Sequence, residues 1–393
     1  MRNRVFALIA LLVCLAATAL AGGGQEVPAY FRKTDGESVP DTYIYGENMP
    51  EVYTYGGSKR DWVYDMAVAP DGRIAVAGYT ESSDGTLSDR TKTWRAGWVM
   101  MLDQNMNVLW NFCSRSGDMD YMCAPVFHED GTLSVVHVTE GKQVKIIGLN
   151  EEGKRIKSVT VMSRKGGDEH FGVVGAMEHG YLLKRWKGDP ERASYALFDF
   201  GGTQLIGYGE GAQFSAVSEK HMIALDNSGL WLCQPGLLEG EGPRSNGVRL
   251  NVLDAQGNAD RSYQSVVSLA DGGAAACGYI NGAQGANGLL SRWDARGNLV
   301  FEMIVVGNPL KELVCTQDGY AALRMAKEAG QYGEWELVRF DEMGILCGKQ
   351  TLLETPSQDA CCTAVRADGA ILCAQLPGLF GNEDVLVTVI RSE

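Results

Sequence analysis

Positive charge is scarce in this sequence. Its 35 Lys and Arg residues are outnumbered by 49 Asp and Glu residues, which gives a formal net charge of -14. A chain this acidic is repelled by the phosphates of nucleic acids and by anionic lipid headgroups. We therefore expect no nucleic acid partner.

The short motifs of common catalytic and cofactor sites are also missing. There is no GxSxG nucleophile turn, no GxGxxG dinucleotide turn and no GxxxxGK phosphate loop. The five histidines show no HxH or HExxH spacing, and the ten cysteines form no CxxC pair. The sequence thus predicts no cofactor and names no catalytic residue, and it leaves metal binding open.

Long apolar runs are confined to the N-terminus. Arg2 and Arg4 precede an apolar stretch that ends in Ala19-Leu20-Ala21 and three glycines. This order is typical of a secretory signal peptide, here residues 1–21. An uncleaved membrane anchor and lipidation at Cys14 are the alternatives. We expect a secreted or cell-surface protein with no membrane span after cleavage.

Loss of Cys14 would leave nine cysteines, an odd number that cannot pair completely within one chain. Several lie in apolar runs such as AAACGY and AILCAQL, where a thiol packs as a small hydrophobe. We expect most thiols to be free and buried.

Glycine is abundant, with 49 residues against 11 prolines, and six of these glycines lie in a repeated turn. Asp and Gly suit hairpin turns because they tolerate positive φ and cap their own backbone. From Gly72 to Gly369 the six intervals cover 297 residues, about 49 to 50 each, the length of a four-stranded propeller blade. The seven turns are Asp71-Gly72, Asp130-Gly131, His179-Gly180, Lys220-His221, Asp271-Gly272, Asp318-Gly319 and Asp368-Gly369.

A second landmark follows each of the first six turns. It is a β-like run that ends in an apolar residue, then Asp or Asn, then a Gly or Asn turn, as in WVMMLDQNMN and VRLNVLDAQG. Between the two landmarks each unit supplies four antiparallel strands. The sequence therefore predicts an all-β protein, a seven-bladed β-propeller.

The seventh unit ends after three strands, the last being VLVTVIRSE. The segment EVYTYGG, residues 51–57, has the pattern of a missing fourth strand. Its pairing with the seventh unit would close the ring and remove two open sheet edges. We predict a linker and lead-in over residues 22–50 and one monomeric propeller domain over residues 51–393.

Residues 56–112 resemble the repeats of secreted bacterial β-propellers, whose blades read IAVxxDGxIxVAGYT, a polar loop and WVxKLDxxGNxLW. The stretches MAVAPDGRIAVAGYT and WVMMLDQNMNVLW carry this resemblance. It implies export and interaction at the cell surface, and it implies no particular chemistry.

If the first strand of each unit lines the channel, the links between units and the loops between second and third strands share one face, which we call the loop face. Variable loops on a rigid ring are the usual location for binding. The predicted loops are residues 80–97, 186–193, 234–247, 280–287, 325–334 and 376–384.

Two of these loops combine a Trp with cations on an otherwise acidic protein. Such a Trp can stack on a sugar ring, and an Arg can clamp a carboxylate. The alternative is that each Trp packs on a neighbouring blade. The candidate binding residues are Trp94, Arg90, Arg95, Trp186 and Arg192.

Carboxylates recur at the links between units. They can ring the channel mouth and hold Ca²⁺, or two of them can act as acid and base on a glycosidic bond. The alternative, which the repetition favours, is that each accepts a hydrogen bond from its own link. The candidates in this group are Asp118, Asp120, Asp168 and Glu169, with His170 beside them.

The sequence favours an exported, non-enzymatic propeller that presents its loop face to an extracellular protein or glycan. The competing hypothesis is a carbohydrate-active hydrolase or lyase that uses carboxylates at the channel mouth. An enzyme of this kind needs an acid pair with at least one raised pKa in a deep pocket.

Overall fold

A computed structural model gives the structure of the chain. It describes residues 42–43, 51–87, 95–114, 119–139, 142–164, 166, 168–208, 213–226, 229–233, 248–250, 261–282, 285–329, 332–355, 362–375 and 384–391. The described residues form antiparallel sheets and two short 3-10 turns, Gly85–Leu87 and Pro190–Arg192. None of their helical segments has the length and apolar character needed to cross a membrane.

Six of the seven sheets have four strands each, in the order in which the chain forms them. The first blade consists of β3 (Asp61–Val68), β4 (Ile74–Thr80), β5 (Ala96–Leu102) and β6 (Val108–Cys113). The second consists of β7 (Asp120–Phe127), β8 (Leu133–Thr139), β9 (Gln143–Leu149) and β10 (Arg155–Ser163). The third consists of β11 (Glu169–Met177), β12 (Gly180–Lys187), β13 (Ser194–Asp199) and β14 (Gln204–Tyr208).

The next three sheets follow the same order. The fourth blade consists of β15 (Gln213–Val217), β16 (Met222–Asp226), β17 (Gly229–Cys233) and β18 (Val248–Arg249). The fifth consists of β19 (Arg261–Ser268), β20 (Ala274–Gly282), β21 (Gly285–Trp293) and β22 (Leu299–Val305). The sixth consists of β23 (Leu310–Thr316), β24 (Gly319–Ala329), β25 (Tyr332–Asp341) and β26 (Leu346–Thr355).

The seventh sheet is made from both ends of the described chain. It contains β27 (Cys362–Val365), β28 (Ile371–Gln375) and β29 (Val385–Ile390), and β2 (Glu51–Tyr55) pairs with β29. This confirms the predicted closing strand. A further two-residue strand, β1 (Thr42–Tyr43), pairs with the outer side of β2 and gives this sheet a fifth strand that the sequence did not predict.

The first strand of each blade lines the centre of the ring. The strands β3, β7, β11, β15, β19, β23 and β27 contact one another in that order, and β27 returns to β3. The protein is therefore a closed seven-bladed β-propeller, as predicted.

The hydrophobic core is divided into seven clusters, one at each interface between blades. The second strand of each blade serves two of them, because its side chains alternate between the two faces of the sheet. In β4, Ile74 and Val76 face the seventh blade, whereas Ala75 and Ala77 face the second. A blade therefore buries its apolar surface only when both neighbours are present.

The Asp-Gly hairpins form for the predicted reason. Gly72 has a φ of 88°, and the side chain of Asp71 accepts a hydrogen bond from the backbone N–H of Arg73 at 3.0 Å. Asp271 and Asp368 cap their turns in the same way. These turns lie on the opposite face of the ring, which we call the turn face.

The fourth blade differs from the prediction. Its third strand is β17, with the sequence GLWLC, and the VR of VRLNVLDAQG forms the fourth strand, β18. The prediction was wrong because β17 does not end in the Asp and Gly that mark the third strand elsewhere. The predicted loop 234–247 follows the third strand in the chain and precedes the fourth, and it lies outside the described residues.

The eight cysteines that the structure describes are all free, as predicted. Five of them are buried: Cys123, Cys233, Cys277, Cys362 and Cys373. Burial raises the pKa of Cys123, Cys277 and Cys373, so these thiols stay protonated and behave as core hydrophobes.

Removal of the closing strand should destabilise the whole ring. Val52 and Tyr55 on β2 are 2% and 1% exposed, and the Tyr55 hydroxyl donates to the carbonyl oxygen of Met106 in the first blade at 2.7 Å. Burial of these two side chains contributes roughly 3 to 5 kcal/mol. We expect deletion of residues 22–57 to lower the thermal midpoint markedly. Deletion of residues 22–41 keeps β1 and β2 and is the control; equal midpoints for the two truncated proteins would contradict the closure.

Candidate functional site

Four aromatic side chains meet where the first two blades reach the loop face, and we call them the aromatic cluster. Trp62 and Tyr64 belong to β3, Tyr79 to β4 and Tyr121 to β7. The Trp62 and Tyr79 rings stack with centroids 6.0 Å apart and 7° between their planes. Tyr64 lies 4.7 Å from Tyr121 and is 39% exposed, so the cluster reaches solvent.

A β-bulge places Tyr64 in this cluster. The register between β3 and β4 moves from the pair Val63–Gly78 to the pair Asp65–Ala77, and Tyr64 lies at this shift. A bulge changes the direction of a side chain, and here it directs Tyr64 out of the ladder. Gly78 allows the close approach of the two strands, since a Cβ there would lie 1.7 Å from the Trp62 carbonyl oxygen.

Two arginines border the aromatic cluster. The guanidinium carbon of Arg95 lies 3.9 Å from the centroid of the Tyr79 ring, which is cation-π distance. Arg60 forms a side-chain hydrogen bond with Tyr79. Among the predicted binding residues of the longest loop, Arg95 is described, whereas Trp94 and Arg90 lie outside the described residues.

Asp120 is the first residue of β7 and is fully buried. Its Oδ2 atom accepts a hydrogen bond from the Ser114 hydroxyl at 2.5 Å and lies 2.6 Å from Nε2 of His137. In a catalytic triad the His lies between the Ser and the Asp. Here both groups contact the same carboxylate oxygen, so the arrangement holds a buried acid and does not activate the serine.

Asp61 occupies the same register position in the first blade, opposite the last residue of the second strand. Its Oδ2 atom accepts hydrogen bonds from the backbone N–H of Gly57 and from the hydroxyl of Ser82, both at 2.8 Å. Gly57 belongs to the link before this blade. A link carboxylate therefore does bind its own link's backbone here, as in the alternative drawn from the sequence.

The predicted residues of the third blade lie near one another. His170 and Trp186 form a cross-strand pair whose rings stack 5.5 Å apart. Trp186 is half-buried against the cluster between the third and fourth blades. Glu169 pairs with Lys187 in register, and the exposed Asp168 lies 3.7 Å from the Arg164 guanidinium.

The other predicted residues do not join this group in the described structure. Arg192 ends the 3-10 turn Pro190–Arg192 and is exposed. Asp118 lies outside the described residues. The structure thus brings His170 and Trp186 together and places Asp120 apart from them in a different blade.

A pair of carboxyl groups that is not among the predicted binding residues lies on the inner strands of the ring. Asp65 lies within β3, and not at a link, and Glu312 lies on β23. Protein surrounds both side chains, yet each residue keeps part of its accessible surface because it faces the central channel. The strands β3 and β23 are separated by β27, so the two groups act on each other across the channel.

Both channel carboxyls bind protons more strongly than usual. Burial raises the pKa of Asp65 to about 6, although the backbone N–H groups of Met66 and Ala124 donate to it. Burial and the nearby charge of Asp65 raise the pKa of Glu312 to about 8, and the adjacent Lys311 lowers it in part. Both residues resume strand pairing directly after a bulge, a feature that the sequence pattern does not reveal.

The described residues contain no group of three or more His, Cys, Asp or Glu side chains arranged to hold a metal ion. The channel pair, Asp65 and Glu312, provides two carboxyl side chains, fewer than the three of such a group.

No protein-family model and no curated protein sequence matches the chain. The chain resembles several solved propellers. The C-terminal WD40 domain of Sif2 has a TM-score of 0.49 and 12% identity, and the match covers 86% of this chain and 99% of that one. The propeller domain of the Trilobed protease from Pyrococcus furiosus has a TM-score of 0.48 and 10% identity over 85% and 95% of the two chains. Chaetomium thermophilum Sqt1, bound to the N-terminus of ribosomal protein L10, has a TM-score of 0.46 and 12% identity over 86% and 98%.

At such identities these likenesses concern the fold alone. The assignment as a seven-bladed propeller rests on the chain's own sheet order and ring closure.

The channel pair should make stability depend on pH. The folded protein holds the Glu312 proton with a pKa of about 8 against an ordinary 4.5, so stability falls as pH rises through that range. We expect the free energy of unfolding in urea to drop by roughly 1 to 3 kcal/mol from pH 5 to pH 8 on account of this group. Glu312→Gln should remove most of that drop, and the exposed Glu342→Gln should not. An unchanged pH slope in Glu312→Gln would contradict the assignment.

Proposed function

We propose that this chain is an exported, non-enzymatic binding module that presents its loop face to an extracellular protein or glycan. The N-terminal sequence, with its arginines, apolar run and small residues before three glycines, supports export to a secreted or cell-surface location. The resemblance of residues 56–112 to secreted bacterial repeats supports the same location.

The observation that carries the binding role is the aromatic cluster with Arg95. Exposed aromatic and Arg side chains on a rigid support are the residue types that dominate binding energy at interfaces. Tyr64 is exposed, Trp62 packs against the core between the seventh and first blades, and Tyr121 packs against the core between the second and third blades. Little ordering is therefore needed on binding, which favours affinity.

Trp94 offers a direct test because it immediately precedes Arg95 in the longest loop. We expect Trp94→Ala to leave the thermal midpoint nearly unchanged and to weaken binding on an array of glycans and extracellular proteins. A Trp buried in a core would instead cost about 3 to 5 kcal/mol. The control is Trp110→Ala, because the Trp110 indole donates to the Glu151 carbonyl near the turn face. Unfolding by Trp94→Ala, or unchanged binding on the whole array, would count against the proposal.

The enzymatic alternative is supported by one observation, the raised pKa values of Asp65 and Glu312. A carboxylic acid that stays protonated near neutral pH can act as a general acid on a glycosidic oxygen. These residues replace the link carboxylates as the pair to test for a hydrolase or lyase.

A reducing-end assay on a panel of polysaccharides distinguishes the alternatives. The binding proposal predicts no new reducing ends from the wild-type protein. A hydrolase that used Glu312 would release them and would lose about 100-fold in rate in Glu312→Gln. Product formation that is equal in both proteins would exclude this pair.

A further inference from the structure

We propose that the aromatic cluster and Arg95 form a subsite for a sugar that carries a carboxylate, such as a hexuronic acid unit of an acidic polysaccharide. This inference rests on the proposed binding function and names the ligand class for the same face.

Arg95 is half-buried beside the Tyr79 ring of the aromatic cluster. None of the carboxylates that the structure describes forms an ion pair with it, and its Nε–H finds no acceptor among the described residues. Its guanidinium contacts the ring of Tyr79. Five other arginines that are not exposed are paired with carboxylates: Arg73–Asp71, Arg261–Glu302, Arg292–Asp271, Arg324–Glu336 and Arg366–Asp368.

A guanidinium that lies 3.9 Å from an aromatic ring centroid, with no carboxylate partner among the described residues, is placed to bind an anion. Contact with Tyr79 restricts the guanidinium, and its fork of N–H donors matches the two oxygens of a carboxylate. The ring beneath excludes water from one side of that fork. Arg95 thus supplies the charge recognition of the subsite.

Tyr64 supplies the apolar contact. Its ring lies 4.7 Å from Tyr121 and 6.2 Å from Tyr79, so it is braced by rings from two blades while its own surface is 39% exposed. An aromatic face of this kind packs against the C–H face of a pyranose ring. The bulge in β3 holds Tyr64 in this position before a ligand arrives.

The composition of the subsite favours a sugar acid over an acidic peptide. The net charge of -14 repels both kinds of polyanion alike, whereas the subsite places Arg95 and Arg60 beside several aromatic rings. A uronic acid unit presents one carboxylate and one apolar ring face. Its requirements match one Arg and one exposed Tyr.

Calorimetric titration with matched oligosaccharides tests the inference on the full mature chain. The probes are oligomers of galacturonate, glucuronate and mannuronate, each together with its neutral methyl ester. We expect at least one acid form to bind more tightly than its ester by about ten-fold, the effect of one charge-assisted hydrogen-bonding group. If no acid form is preferred over its ester, the inference is overturned.

Three variants test which residues produce the preference for the acid form over its ester. Arg95→Gln should abolish the preference for the acid over the ester, and Tyr64→Ala should weaken both forms, with Tyr64→Phe restoring them. Arg296→Gln removes the same charge from an exposed position on the turn face and should change neither. Equal losses in Arg95→Gln and Arg296→Gln would show that general electrostatics explains the binding and would overturn the subsite.

The same variants distinguish a failure of this inference from a failure of the proposed function. If Tyr64→Ala abolishes binding of a neutral glycan or an extracellular protein while no acid preference exists, the ligand class is wrong and the loop-face binding role stands. If Tyr64→Ala and Arg95→Gln leave every detected interaction unchanged, both proposals fail. Thermal midpoints of the variants, measured in parallel, show whether any loss of binding comes from unfolding.

Discussion

Packing between neighbouring blades is the interaction on which the rest of this structure depends. Each sheet has two apolar faces, and each face is buried only by the adjacent blade, as Ile74 and Ala75 on opposite faces of β4 illustrate. A sheet with an uncovered face would expose a large apolar patch. The ring must therefore close, and β2 achieves this by completing the seventh blade from the other end of the chain.

Closure also fixes the polar positions inside the ring. Bulges in the inner strands place Asp65, Ser265 and Glu312 just after a register shift. Asp65 and Ser265 accept hydrogen bonds from the backbone N–H of Ala124 and Leu313 in the next blade. In the first and fifth blades the residue after the bulge is therefore hydrogen-bonded to the next blade. In the sixth blade the same position is occupied by Glu312, whose carboxyl has a raised pKa because of burial and the charge of Asp65.

The same bulge in β3 serves two purposes in adjacent residues. Tyr64 lies at the bulge and contacts the other rings of the aromatic cluster, and Asp65 directly after it belongs to the channel pair. The position of Tyr64 in the aromatic cluster and the position of Asp65 therefore depend on one local distortion. A substitution that removed the bulge would alter both, since their geometry has a common origin.

The sequence by itself determined the number of blades, the hairpin positions and the closing strand, because Asp-Gly turns and strand alternation are local chemistry that repeats at a readable interval. It misplaced the third strand of the fourth blade, where GLWLC lacks the Asp and Gly ending. Only the tertiary structure decided which side chains meet. Tyr64 and Tyr121, or Asp65 and Glu312, belong to different blades, and their proximity follows from the closed ring and from bulges that leave no periodic signal in the chain.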